Sequence, residues 1–327
     1  MEDRNYSALA RTMISMWNNH FSKTIIQREN ATNVKLNFVN MFNLNPVNWN
    51  SNKKLGIQEY KEPTINFMTS SFDGIKLAGS IWLNPVPTNK WIIGCHGFNS
   101  SRFDVLYLTW HYRELGYNII TFDFRSHGGS DKDIVSWGMK EKEDLVSIVK
   151  WLTQNYKVDE IGLVGTSMGG FTINHFILTE IELIKKVNVK WGIADSAYMS
   201  VPKLLERMVS NNAPAPFKGY AKEVLSDMMR IYKNEYGVNL YNLSFIDLIQ
   251  PNNKYVPMLY LHNRHDRITD SLDSFSMANI KNNIEGKPEN EFRIFDEGYH
   301  HTKSIIEFED EYKKISIDFV KKHQQNK

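Results

Sequence analysis

Short apolar runs and longer stretches of helical periodicity alternate along most of this chain. Thr64 to Met68 and Ile75 to Leu83 flank the turn dipeptide Asp73-Gly74 and predict an antiparallel hairpin. Trp91 to Cys95, Asn118 to Phe124, Ile161 to Val164, Lys190 to Ala194, Met258 to Leu261 and Glu291 to Phe295 are runs of strand length. Helical spacing falls at Val105 to Leu115, Glu141 to Asn155, Met168 to Leu178 and Ser304 to His323. Strands that alternate with helices pair in parallel, because a right-handed crossover is the one that packs a helix back onto a twisted sheet. The expected class is therefore α/β, a mostly parallel central sheet flanked by helices, with ligands gathering at the carboxyl ends of the strands.

Two stretches break the alternation. From about 198 to 251, between two strands, the pattern stays helical and is interrupted by N-N-A-P-A-P-F at 211–217, which reads as a helical cap insertion. Its Met199, Leu204, Leu205, Met208, Tyr220, Met228 and Met229 are expected mostly to pack the cap onto the body, the remainder lining an apolar pocket. Residues 1–62 form a separate arm, in which Leu9, Met13, Met16, Trp17 and Phe21 fall at helical spacing before an Asn-rich run, N-L-N-P-V-N-W-N-S-N at 43–52. Little basic charge lies on the polar face of that helix, so docking onto the main domain, residues 63–327, is expected rather than binding to a membrane surface.

Composition narrows the class further. The 327 residues are 42% hydrophobic and 23% charged with net charge +2, ordinary for one large globular domain with an insertion. Lys and Arg are spread without blocks or aromatic interleaving, which argues against a nucleic-acid partner. Cys95 is the one cysteine, so no internal disulfide forms, and an unpaired thiol fits a reducing compartment. No apolar run approaches the ~20 residues that span a bilayer, and the expectation is a cytoplasmic protein without stable membrane insertion.

The chemistry centres on I-G-L-V-G-T-S-M-G-G-F at 161–171, a G-x-S-x-G at Gly165, Ser167 and Gly169 between a strand and a helix. Such a turn forces the serine into strained backbone angles, tolerates only small neighbours and stands the hydroxyl at a helix N-terminus, where developing negative charge is favoured. An isolated match of this kind arises by chance; strand before and helix after make it a nucleophile elbow. Upstream, the strand Trp91 to Cys95 runs into His96-Gly97-Phe98, so the backbone N–H groups of Phe98 and of Met168, next after the nucleophile, are the expected oxyanion donors. His96 and Cys95 are read as structural. So is the cluster Asp123, Arg125 and His127 in T-F-D-F-R-S-H-G-G-S, with Asp123 and Arg125 expected to pair.

Taken together, H-G-F, D-F-R-S-H-G-G-S and G-T-S-M-G-G resemble the α/β-hydrolase superfamily from about Thr64 to the C-terminus, closest to bacterial esterase/lipase-like and serine-aminopeptidase-like hydrolases. The resemblance implies the α/β-hydrolase fold. Two positions depart from the family pattern: Ser126 stands where Gly is usual in R-G-H-G, and Asn263 where Gly is usual in H-G-x-x-D, a mild change because Asn tolerates positive φ. By the same resemblance, M-L-Y-L-H-N-R-H-D-R-I at 258–268 makes Asp266 the acid, with Asp195 as competitor at the end of W-G-I-A. Of the histidines beyond it, His300, His301 and His323, the run E-G-Y-H-H-T-K-S selects His301 as base, and one slipped residue gives His300. A metal site at His262, His265 and Asp266 is disfavoured, since no further ligand cluster completes a shell. The expectation is a serine hydrolase needing no cofactor, acting on small or medium acyl esters. The alternatives are a serine aminopeptidase-like enzyme and a non-catalytic binding member.

Overall fold

Every apolar run of strand length becomes a strand. The computed structural model describes residues 7–29, 62–212, 218–251, 253 and 255–324. Its strands are β1 (Ile65–Ser70), β2 (Lys76–Trp82), β3 (Lys90–Cys95), β4 (Asn118–Phe122), β5 (Glu160–Thr166), β6 (Val189–Asp195), β7 (Met258–Asn263) and β8 (Glu291–Phe295). They form one sheet in the order β1-β2-β4-β3-β5-β6-β7-β8. The β1–β2 and β2–β4 pairs are antiparallel, and the remaining pairs are parallel. Strand β5 is buried throughout, because helices cover both faces of a parallel sheet.

The helices of twelve or more residues are α1 (Ala8–Glu29), α2 (Lys140–Asn155), α3 (Met168–Thr179), α4 (Val201–Asn212), α5 (Lys218–Glu235), α6 (Ser271–Glu285) and α7 (Glu309–Gln324). On one face of the sheet Leu145 and Ile148 of α2 join Phe171 and Phe176 of α3. On the other, Tyr312, Phe319 and Val320 of α7 pack with Trp191 and Ile193.

Three elements differ from the sequence pattern. The 105–115 run is a short helix, Leu106–Thr109, continued as a 3₁₀ helix, Trp110–Leu115, which Gly116 closes at φ 82°. Residues 304–323 are two helices, Ser304–Glu307 and α7, parted at Phe308 with φ −133°. Helix α6 lacked a sequence signal because its buried positions, Ser271, Ser274, Met277, Ala278 and Lys281, mix polar with apolar side chains. Its ends are nonetheless marked by Asp270, whose side chain accepts from the Leu272 N–H, and by Gly286 at φ 64°.

The arm helix α1 docks, but through a face rotated from the expected one. Ala10 and Ile14 are buried and Met13 and Trp17 half-buried, whereas Leu9 and Met16 are 44% and 54% exposed. Arg11 forks onto Glu235 of α5 at 2.7 and 2.8 Å, the Asp227 carboxylate accepts from the Ser7 N–H at 3.0 Å, and Trp17 meets Trp137 edge-on at 5.0 Å. The Phe21 side chain, the Asn-rich run at 43–52 and residues 213–217 of the cap lie outside the described residues. Between β6 and β7, Leu204, Leu205, Met228 and Met229 are buried, Met199 and Met208 are half-buried against the core, and Tyr220 is exposed. Among the described residues no helix is long and apolar enough to cross a membrane.

Candidate active site

Ser167 stands between β5 and α3 with φ 50° and ψ −116°, outside the regions comfortable for an L-residue. The surroundings leave room for glycine only. A Cβ on Gly165 would lie 2.5 Å from the Gly169 carbonyl oxygen, and one on Gly169 would lie 2.1 Å from that of Cys95. The Ser167 N–H donates to the Asp195 carbonyl at 2.9 Å, which ties the turn to the end of β6.

Two loops at the same edge of the sheet complete the arrangement. The loop after β7 carries Asp266 and the loop after β8 carries His301. The Ser167 hydroxyl lies 2.9 Å from His301 Nε2, and His301 Nδ1 lies 2.7 Å from Asp266 Oδ2. An ionised carboxylate only accepts, so Nδ1 holds the ring proton and Nε2 is left to accept from serine. Asp266 Oδ1 also accepts from the N–H groups of Ile268 (2.7 Å) and Thr269 (3.2 Å), and Oδ2 accepts from the Thr269 hydroxyl at 2.9 Å. Burial alone raises the pKa of Asp266, but the charge His301 carries when protonated and the hydrogen bonds from His262 and His301 outweigh it and hold the carboxyl far below the usual range.

The competing residues face elsewhere. Asp195 Oδ1 accepts from the Ser196 hydroxyl at 2.7 Å, and burial pushes its pKa up. His300 turns its Nδ1 to Glu307, whose other oxygen accepts from the Tyr299 N–H at 3.0 Å. Sequence reasoning singled out neither Thr269 nor the contact of His262 Nε2 with Asp266, at 3.3 Å. The signal for the histidine was its place in the H-x-x-H-D run; Thr269 gave none. His265 stacks on Tyr299 with ring centroids 4.5 Å apart. Among the described residues no group of three or more His, Cys, Asp or Glu is placed to hold a metal ion.

The His96-Gly97-Phe98 turn packs against the nucleophile, since a Cβ on Gly97 would lie 3.3 Å from that of Ser167. The backbone that carries the Phe98 N–H is thus beside Ser167, and Met168 is its chain neighbour. Two buried histidines hold this turn. His96 donates from Nδ1 to the Gly97 carbonyl at 2.7 Å and accepts the Phe124 N–H at Nε2, 3.0 Å. His127 donates from Nδ1 to the Arg125 carbonyl at 2.8 Å and accepts the Asn99 N–H at Nε2, 3.3 Å. Burial pushes the pKa of both rings down and keeps them neutral, as these accepting roles require. Cys95 is buried, and its thiol pKa is pushed up by burial.

The expected Asp123–Arg125 pair does not form. Asp123 is held by Arg102, through its guanidinium and its N–H (2.6 Å), in the turn that follows β4. Arg125 is buried and pairs with Asp144 (2.6 Å), Asp133 (2.7 Å) and Asp73 (2.8 Å). Arg125→Met is expected to cost about 3–5 kcal/mol in denaturant unfolding, because it strands the buried Asp144 carboxylate. A loss under about 1 kcal/mol, the scale of an exposed pair, contradicts this account.

The two departures from the family pattern also find physical reasons. Ser126 adopts φ 61°, the conformation for which glycine is usual, and its hydroxyl accepts from the Asp133 N–H at 2.9 Å. Asn263 is a strand residue without positive φ, so its tolerance of that region is not what matters. Its side-chain amide instead donates to the His300 carbonyl at 2.8 Å, bracing the histidine loop.

Comparison with known proteins agrees with the fold. The family model described as the alpha/beta hydrolase fold matches residues 90–229. A curated relative, the uncharacterized protein YqkD of Bacillus subtilis, is 36% identical over 91 residues, 27% of this chain. The match spans 29% of that relative's own length. Among solved structures, the Pyrococcus furiosus esterase Pf2001 superposes with a TM-score of 0.60 at 25% identity, over 81% of this chain and 93% of that one. The Pyrococcus horikoshii acylaminoacyl peptidase gives a TM-score of 0.58 at 21% identity, over 81% of this chain and 42% of the other, a likeness of fold alone.

Proposed function

This chain is an α/β hydrolase by fold, and from that premise we propose that it is a serine hydrolase that cleaves carboxylic esters of small or medium acyl groups. One observation carries the reading: the hydrogen-bonded line from Ser167 through His301 to Asp266, 2.9 and 2.7 Å, at the carboxyl ends of the parallel strands. Ser167 Oγ attacks the ester carbonyl carbon while His301 Nε2 takes its proton. The N–H groups of Phe98 and Met168 receive the oxyanion, and the N-terminus of α3 adds its dipole. His301 returns the proton to the departing alcohol, leaving an acyl-serine. Water, deprotonated by the same nitrogen, then releases the acid. Asp266 keeps the imidazole in the tautomer both steps need and stabilises its cation. The chemistry requires no cofactor, and the lone buried thiol accords with a cytoplasmic setting.

The ester is favoured over a free aminoacyl substrate because several of the cap's carboxylates are already engaged. Asp227 accepts from Ser7, Glu235 is forked by Arg11, Asp247 accepts from the Ser244 hydroxyl, and Glu206 lies 4.0 Å from Lys222. A cavity of about 370 Å³ beside Thr269 is where an ammonium would find acid groups, Glu206, Asp270 and Asp273. There Asp270 pairs with Arg207 at 2.9 Å and Asp273 accepts the Met199 N–H at 2.9 Å. A buried ammonium without a free carboxylate is costly.

The test is turnover of p-nitrophenyl acyl esters against matched free and N-blocked aminoacyl esters, with intact mass after a fluorophosphonate. The acyl ester is expected to give the highest kcat/KM. If the free amine is preferred by about tenfold, roughly 1.4 kcal/mol of transition-state stabilisation, the peptidase-like reading replaces this one.

A further inference from the structure

Non-glycine residues around the site that hold positive φ include Ser167 at 50°, Ser196 at 53° and Thr302 at 62°. A β-branched residue resists this region most, so Thr302, the immediate neighbour of His301, stays there only if its surroundings hold it. Both of its backbone polar groups are held by side chains from distant parts of the chain. Its N–H donates to the Ser196 hydroxyl oxygen at 3.1 Å, and its carbonyl accepts from the Tyr107 hydroxyl at 2.6 Å. The Ser196 hydroxyl is oriented in turn, since it donates to Asp195 Oδ1 at 2.7 Å. The Lys303 ammonium, 4.9 Å over the Tyr107 ring, closes the same corner. Tyr107, Asp195 and Ser196 are all buried.

We infer that Asp195 and Tyr107 are positioning residues for His301: Asp195 acts through Ser196 on the Thr302 N–H, Tyr107 acts on the Thr302 carbonyl, and together they lock the histidine turn at bonding distance from Ser167. The inference rests on the reading of His301 as the general base, but it makes a statement about the turn that stands apart from activity. It also assigns a role to the carboxylate that competes with Asp266. Asp195 supplies a hydrogen-bond acceptor rather than a charge to His301. A neutral amide can serve that purpose; a methyl cannot.

The experiment compares Tyr107→Phe, Asp195→Ala and Asp195→Asn by ester kinetics and by hydrogen–deuterium exchange of the segment 299–303. Tyr107→Phe and Asp195→Ala are expected to lower kcat by about 10- to 100-fold with KM held, the cost of a small misplacement of a catalytic group. Exchange in the segment should quicken by about tenfold as its hydrogen bonds open. Asp195→Asn keeps an acceptor for Ser196 and should recover both the activity and the protection lost in the alanine variant. Unchanged exchange and kcat in both Tyr107→Phe and Asp195→Ala overturn the inference. So does a loss in Asp195→Asn as deep as that in Asp266→Asn, which makes Asp195 the acid. Wild-type protein that turns over no ester yet shows the expected exchange pattern removes the esterase reading and leaves the clamp standing.

Discussion

Ser167→Ala is expected to lower kcat for an acyl ester by about 10⁴- to 10⁶-fold and to abolish labelling by a fluorophosphonate. The substitution deletes the one atom that bonds to the substrate, and no neighbouring nucleophile can replace it. Cys95 is buried, with its thiol pKa pushed up by burial, so it does not supply a thiolate at neutral pH. Little else changes: the Ser167 hydroxyl has His301 Nε2 as its partner, and the backbone bond from the Ser167 N–H to Asp195 is kept. The melting temperature should therefore stay close to wild type. His301→Ala should match the kinetic loss, because an unassisted serine hydroxyl is a poor nucleophile. His300→Ala should not, since that ring is turned to Glu307. Intact mass after the probe, across the three variants, checks the assignment. A label that persists in Ser167→Ala, or equal losses from both histidine variants, refutes it.

Asp266→Asn is expected to lower kcat by about 10⁴-fold with KM little changed. The amide would present an N–H to His301 Nδ1, which forces the other tautomer and turns Nε2 from an acceptor into a donor toward Ser167. Asp195→Asn serves as the control, because Asp195 turns its Oδ1 to Ser196 while His301 Nδ1 turns to Asp266. There is a second consequence for stability. The folded-state pKa of Asp266 is depressed, so its stabilising contribution is present above the ordinary carboxylate pKa of 3.8 and is lost as pH falls through the folded value. Wild type should accordingly lose more stability than Asp266→Asn on acidification below that pKa. Denaturant unfolding at neutral and acid pH measures the difference. An equal pH dependence in the two proteins is incompatible with the depressed pKa.

Much of this was legible in the sequence because local physics writes it there. A buried parallel strand must be a largely apolar run, and a turn like that at Ser167 must have small neighbours, so β3 to β7 and the elbow announce themselves within a few residues each. Helix α6 did not, since its inward face is part polar and a sequence pattern records only apolarity. The face of α1 that goes inward was likewise not set by apolarity alone: Ala10 and Ile14 are buried, whereas the equally apolar Leu9 and Met16 are exposed.

What the sequence determined by itself was the order of the elements, the strand-ending loops that carry chemistry and the residue types on them. Family resemblance added the register that selected His301 over His300. Only the tertiary structure decided which groups meet. Asp195 ends β6 and Asp266 lies in the loop after β7, and apart from the family motif nothing along the chain separates their roles; they part because residues 35 apart in sequence, Asp266 and His301, come within 2.7 Å while Asp195 faces Ser196. Arg125 likewise reaches Asp144 rather than Asp123. Partner choice among charged and hydroxyl groups is a matter of distance and direction after folding, and chain order carries neither.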